Sequence, residues 1–443
     1  MAENPFERNW TASALLRFAF PTIIMMLSMG LYTLADTIFV ARFVNTDALS
    51  AINIVCPVVN LTVGLGTMIA TGANAIVSRN LGAGQERAAR ENFTLLVLYG
   101  ALLGLALFGA GLVWIDSIVT FLGASQRLFP YAKAYLEIVF LFVPAQLLQT
   151  IFSNLFVTAG KPGLGFGLSV FAGLANLVLD VLFMTRFHMG IQGAALGTGI
   201  GYSIGTIGGL VFFSKKRGPL FFTRPAWNVR VVIQSLWNGS SEMVSQVSSA
   251  VTTFLFNRAM LIFANEEGVA AITILIYSQF LLNTVFIGYS IGVAPIIGYN
   301  LGEKNTRQQK RVFALSVRFI AWTSIAIFVL ARWKGADLIG LFAPSTSSVY
   351  QITKQGFPIF AISFLFCGFN LFVSSMFTAL SNGAISAFLS FLRTFVFLAG
   401  AIVLLPEILG INGIWSALPL AEGAAFILSS ACCFLFRKRY GYA

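Results

Sequence analysis

Long apolar runs recur from one end of the chain to the other, each closed by a short cluster of polar or charged residues. A helix needs about 20 such residues to cross the hydrocarbon core of a bilayer. The runs predict twelve membrane helices, over residues 14–41, 48–78, 92–115, 132–158, 164–186, 191–214, 231–260, 268–299, 312–332, 352–379, 384–406 and 412–436. A polar stretch, 214–230, separates the sixth from the seventh. Outer-membrane strands alternate polar and apolar residues over about ten positions, and these runs do not. The expected class is therefore an all-α polytopic membrane protein.

Composition agrees. The chain is 57% hydrophobic and 10% charged, with mean hydropathy +0.84, against roughly 25% charge in a soluble domain. Glu3, Glu7 and Arg8 precede the first run, and no small-residue cleavage site follows a short core, so this start does not read as a cleaved signal. Cys56, Cys367, Cys432 and Cys433 lie in or beside apolar segments and read as small core residues. His188 is the single histidine, which removes a histidine-built metal or catalytic centre.

A net charge of +12 could suggest nucleic acid, but its distribution gives a different answer. With the amino terminus inside, the inner segments hold Arg8, Arg79, Arg87, Arg90, Lys161, the cluster Lys215 to Arg230, Lys304 to Arg311, and Arg437 to Arg439. The outer loops hold only Arg42, Arg127, Arg186, Arg332 and Lys334, with Glu266 and Glu267 also outside. This bias predicts both termini in the cytoplasm of a multi-pass protein of the cell inner (plasma) membrane, with no nucleic-acid partner.

A shift of 220 residues aligns the halves without gaps. Leu49–Ile54 falls on Val269–Ile274, Asn80-Leu-Gly82 on Asn300-Leu-Gly302, Thr158-Ala159 on Thr378-Ala379, and Gly190–Gly193 on Gly410–Gly413. Each half contains an even number of spans, so the copies share orientation and are related by an axis along the membrane normal. The expected architecture is two pseudo-symmetric six-helix bundles, an amino-terminal lobe at 1–213 and a carboxy-terminal lobe at 231–443, joined by a cytoplasmic linker at 214–230. The loops at Asn80–Gly84 and Asn300–Gly302 lack the lysine and preceding strand of a phosphate loop and read as turns.

Charge inside such helices costs about 2.5 to 3.5 kcal/mol per residue on insertion scales. Asp36 lies six residues before Arg42, Asp180 six before Arg186, and Thr198 seven beyond Ile191. All three fall roughly 9–10 Å below one boundary. Asn176 lies one turn from Asp180 on the same face. Two carboxylates, an amide and a hydroxyl form an oxygen-rich cluster suited to Na⁺ or a shared proton. The competing reading is unrelated polar residues, each satisfied locally. The second half replaces the acids with Phe256 and Gly400 and carries Glu242, Arg393 and Glu422 near mid-membrane. These form either a structural ion pair or a substrate or proton site. Pro21 removes a backbone hydrogen bond in helix 1 and permits a bend. Some of the 44 phenylalanines are expected to line a cavity for flat, apolar cations.

Across its length the chain resembles the multidrug and toxic compound extrusion (MATE) family. The resemblance is carried by Asp36-Thr-Ile-Phe-Val40, Asn80–Gly84, Asn176-Leu-Val-Leu-Asp180, Gly193–Thr198 and Pro295–Gly302, and it is nearest to the bacterial DinF/MepA-type branch. It implies a V-shaped monomer that exports amphipathic, cationic compounds in exchange for H⁺ or Na⁺ by alternating access, with no further cofactor. It also implies that Asp36, Asn176, Asp180 and Thr198 form the cation site, as metal ligands if the ion is Na⁺, and that Pro21 is a bending point. The acidic pair that another branch carries in helices 7 and 10 has no match. Two alternatives stay open at this stage. A flippase for lipid-linked precursors or polysaccharides would use a basic cavity, for which Arg258 and Arg393 are the available arginines. An intramembrane enzyme would need a nucleophile–base or metal motif, and none appears.

Overall fold

A computed structural model describes residues 6, 9–44, 46–216 and 218–442. Glu3, Glu7, Arg8 and Arg217, and the side chains of Arg42, Thr37, Ile38 and Leu49, lie outside the described residues. Eleven described helical stretches are long and apolar enough to cross a membrane. One of them, Val229–Glu303, has 75 residues, several times the length of a single span. It breaks at Ala264 and Asn265, where φ/ψ are −145/18° and 53/−153°. A positive φ is uncommon outside glycine, and at Asn265 it turns the chain sharply. The stretch is thus two spans, which makes twelve among the described residues.

We number them α1 (Ala12–Phe43), α2 (Thr46–Gly82), α3 (Glu86–Val113), α4 (Phe129–Thr158), α5 (Pro162–Arg186), α6 (Ile191–Ser214), α7 (229–263), α8 (266–303), α9 (Thr306–Gly340), α10 (Ser348–Ala379), α11 (Gly383–Leu409) and α12 (Ile411–Tyr440). Several are longer than the apolar runs alone predict, because polar first and last turns remain helical. Their starts are capped by the expected residue types: Thr11 accepts from Ala14 N at 3.2 Å, Asn305 from Gln308 N at 3.1 Å and Ser347 from Tyr350 N at 3.2 Å. α1 remains helical through Pro21.

Both ends of the described chain lie on one side of the membrane, which we term the terminal side. There Phe6 stacks on Tyr299 at 5.3 Å, Trp10 N donates to Gln308 Oε1 at 3.4 Å, and Tyr442 packs on Phe313 at 4.9 Å. The connection between α6 and α7 is held to the amino lobe. Phe222 packs on Phe93 at 5.2 Å, Thr223 N donates to Thr94 Oγ1 at 3.1 Å, and Arg90 Nε donates to Pro219 O at 3.0 Å.

Lipid gives helices no hydrophobic drive to associate, so close backbone packing at small residues has to supply it. The seam between the halves is built that way. A Cβ placed on Gly72 of α2 would lie 1.9 Å from Ser235 O of α7, and one on Gly239 of α7 would lie 1.8 Å from Met68 O of α2. At the terminal end, a Cβ on Gly82 of α2 would lie 1.9 Å from Tyr299 O of α8, and one on Gly302 of α8 would lie 2.0 Å from Arg79 O of α2. Adding 220 to 82 gives 302, and subtracting 220 from 299 gives 79. These two contacts are therefore one contact seen twice, as a two-fold axis between α2 and α8 requires. The partner seam, α1 on α8, repeats the idea with Gly288 against Ile23 and Gly292 against Ala19.

Large apolar side chains cover the outside, including Phe121, Ile408 and Leu435, as expected for a lipid-facing surface. Trp114 and Trp333 are exposed near helix ends, where indole rings suit the headgroup region.

Replacing Gly72 by Leu drives a side chain into Ser235 and is expected to destabilise the protein by about 2 kcal/mol. Gly400 has open space where a Cβ would go, so Gly400→Leu is expected to shift stability by less than about 0.5 kcal/mol. Unfolding midpoints of the two variants in the same detergent test the seam.

Candidate functional site

The amino-lobe cluster predicted from the sequence comes together in space. Asp36 on α1 and Asp180 on α5 are close enough for their carboxyl groups to interact directly. Asp180 is fully buried and Asn176 nearly so, while Asp36 is half-buried. Asn176 Nδ2 donates to Thr198 Oγ1 of α6 at 3.2 Å. This leaves Asn176 Oδ1, Asp36 Oδ1 and both carboxylate oxygens of Asp180 buried with no donor among the described residues.

Local backbone explains how the acids fit. Gly197 presses on Asp180, and a Cβ there would fall 1.9 Å from Oδ1. The glycine therefore lets α6 lie directly against the carboxylate. One residue beyond Asp180's neighbour Val181, α5 changes to π-helical winding over Leu182–Arg186. Such turns concentrate at functional sites because they re-aim the preceding side chains.

Beside the cluster lies a narrow cavity with about 20 Å³ of free space, lined by Tyr32, Gln149, Asn176, Thr198 and Tyr202 among others. That is room for one water-sized particle. Tyr32, Tyr202 and Gln149 were not singled out from the sequence. Tyrosines in apolar helices read as packing residues, and only the fold reveals that α1, α4 and α6 bring these two and Gln149 to one cavity.

The carboxy lobe corrects one grouping. Arg393 on α11 donates to Glu422 Oε1 on α12 from Nε at 2.9 Å and from Nη2 at 2.7 Å. Asn370 Nδ2 of α10 donates to the other oxygen of Glu422 at 2.7 Å. Glu242, expected in the same cluster, forms no ion pair with Arg393. The reason is the rotation of α7. Its Ser241 and Ser248 contact Thr378 and Thr394 of α10 and α11 at 3.4 and 2.8 Å. Gly239 and Ser235 face α2. Glu242 falls between those two faces. Sequence depth placed the three residues at one level but could not give the angle. It also missed the hydroxyl ladder of Ser374, Thr378, Ser386 and Ser390, whose contacts of 2.9–3.1 Å join α10 to α11.

Two bundles related by an axis along the membrane normal, seamed by glycine and holding a buried acid cluster in one half, define a polytopic membrane transporter. A family model described as MatE matches the chain twice, over residues 21–182 and 242–403, and the protein belongs to that family. The two matches are offset by one residue from the 220 read above. The chain is 24% identical over 445 residues to the multidrug export protein MepA of Staphylococcus haemolyticus (strain JCSC1435), covering 98% of this chain and 96% of that one. The fold is similar to a MATE crystallised in complex with MaL6, with TM-score 0.93, 19% identity and full coverage of both chains. It is also similar to an outward-facing MATE family transporter of the MOP superfamily, with TM-score 0.90, 20% identity and coverage of 96% and 97%.

Breaking a buried ion pair from one side costs about 3–5 kcal/mol, whereas removing both charges costs much less. Arg393→Met is expected to lower stability on that scale, and Arg393→Met with Glu422→Gln to recover more than half of the loss. Glu242→Gln, which breaks no pair, is expected to leave the unfolding midpoint within about 0.5 kcal/mol of the parent. A denaturant series on the four proteins checks all three.

Proposed function

We propose that this protein is an inner-membrane antiporter that exports amphipathic, cationic drug-like compounds in exchange for a monovalent cation, H⁺ or Na⁺, taken up at the amino-lobe cluster. The observation that carries the reading is the set of buried acceptors without donors at Asp36, Asp180 and Asn176. Two carboxylates in a nearly dry pocket repel each other, and the repulsion is relieved only when a cation lies between them. Thr198 Oγ1 adds an oxygen at the edge of the same pocket. The chemistry therefore demands a small cation but does not select between a proton and Na⁺. The likeness to proteins named for multidrug export supports the cargo class.

Antiport follows if the lobes 1–213 and 231–443 move as bodies about their glycine seam, with the termini and the 214–230 linker in the cytoplasm. Neutralising Asp36 and Asp180 removes their mutual repulsion, alters how α1 packs on α5, and so changes which cargo-binding shape the amino lobe prefers. Pro21 lies in the terminal half of α1, where a missing hydrogen bond lets the helix bend during that change. In this scheme Arg393 and Glu422 are an internal clamp that keeps the carboxy lobe rigid. Monomeric function is the simplest arrangement consistent with two pseudo-symmetric lobes supplied by one chain.

Asp36→Asn and Asp180→Asn are each expected to reduce gradient-driven efflux by at least about tenfold at unchanged expression. Proteoliposomes with an imposed pH or Na⁺ gradient and a fluorescent cationic dye provide the measurement, and the effective gradient identifies the ion. Uphill export retained by both variants would remove the coupling role from this cluster.

A further inference from the structure

Lys310 and Arg318 lie about two turns apart on α9, both exposed. No acidic side chain pairs with either among the described residues. Both line an open groove of about 610 Å³ whose walls include Phe313, Phe369 of α10, Cys433 of α12 and Tyr442.

The internal repeat shows that this is a change of chemistry and not a general property of the position. In the amino lobe the equivalent of Lys310 is Arg90, and its charge is fully used. Arg90 Nη2 donates to Glu86 at 2.5 Å, Nε donates to Pro219 O at 3.0 Å, and the guanidinium lies 4.4 Å from the Phe221 ring. In the carboxy lobe Thr306 replaces Glu86, and Arg318 replaces Leu98. The aromatic pair is kept, since Phe93 with Phe222 becomes Phe313 with Tyr442. The lobe has therefore lost an acid and gained a base beside a preserved apolar wall.

Arg318 lies 12 residues beyond Thr306, about 18 Å along the helix. An uncompensated arginine at that depth is costly. In a helix Cα–Cβ bonds tilt toward the amino end, and α9 starts on the terminal side, so this long side chain reaches back toward the headgroups. Lys310 is already at that level. Two cationic groups on one groove call for a phosphate, to which a guanidinium can bind in bidentate fashion. The phenylalanine wall beneath suits an acyl chain.

We propose that this groove binds an anionic phospholipid of the leaflet on the terminal side, with Lys310 and Arg318 holding the phosphate and Phe313 and Phe369 against the acyl chain. The test uses the full chain in detergent, titrated separately with phosphatidylglycerol, phosphatidylcholine and inorganic phosphate. Native mass spectrometry reads bound lipid, and thermal unfolding reads stabilisation. Phosphatidylglycerol is expected to bind and raise the midpoint. K310Q/R318Q is expected to lower its occupancy about tenfold, and K310R/R318K to retain most of it. K354Q, on the opposite side of the membrane, is expected to change nothing. If K310Q/R318Q does not fold, K310Q alone is expected to lower occupancy by at least about twofold. Equal phosphatidylglycerol occupancy in the parent and the neutral variants would overturn the proposal. So would equal stabilisation by phosphatidylcholine, which would make the groove merely apolar, or by phosphate without lipid, which would make it a free-anion site.

Discussion

Buried oxygens that no donor reaches are the constraint on which the amino lobe is organised. In water each carboxylate of the Asp36–Asp180 pair would be satisfied by solvent. Inside a helix bundle each must find a proton, a metal ion or a donor side chain, and the fold withholds the last. Asn176 turns its amide nitrogen to Thr198 and so presents a further oxygen instead of relieving the acids. Gly197 brings α6 close enough to exclude other side chains from Asp180. Three helices thus meet around one small pocket whose acid oxygens have no protein donor.

The other lobe solves the same problem in the opposite way. Phe256, at the repeat position of Asp36, is buried, and the buried acid Glu422 is neutralised by a protein partner, Arg393. Glu422 receives two bonds from Arg393 and one from Asn370, so its demand is met permanently by protein atoms. A symmetric scaffold therefore carries asymmetric electrostatics, with buried acid oxygens unpaired in one half and a buried acid paired to an arginine in the other. Arg393 also lies within a π-helical turn, Leu392–Leu398, so each lobe winds its backbone differently where it houses charge.

Much of this was legible in the sequence. The positions of Asp36, Asp180 and Thr198 relative to their helix ends gave a common depth, and the i to i+4 spacing of Asn176 and Asp180 gave a common face. These are one-dimensional quantities, and helix geometry converts them directly to space. The span count and the repeat followed from composition and a single offset, down to the reciprocal contacts of Gly82 and Gly302. What failed was angular. Glu242, Arg393 and Glu422 share a depth, but rotation of α7 about its axis is set by serine and glycine contacts to other helices, and no residue spacing within α7 records it. The tyrosines around the amino-lobe cavity were missed for the same reason. The loop expected between the seventh and eighth spans is a tight break at Ala264 and Asn265, because α7 and α8 stay helical up to those two residues.

The connection between the lobes is a tether of fixed reach. Phe222 and Thr223 are fastened to α3, and α7 begins at Asn228, whose side chain caps it by accepting from Arg230 N at 3.1 Å. Only the steps from Thr223 to Asn228 are free to pay out, and five residues fully extended span about 17 Å. The start of α7 cannot lie farther than that from its mooring on the amino lobe. The separation of the two halves at this edge of the terminal side is therefore bounded by chain length as well as by packing.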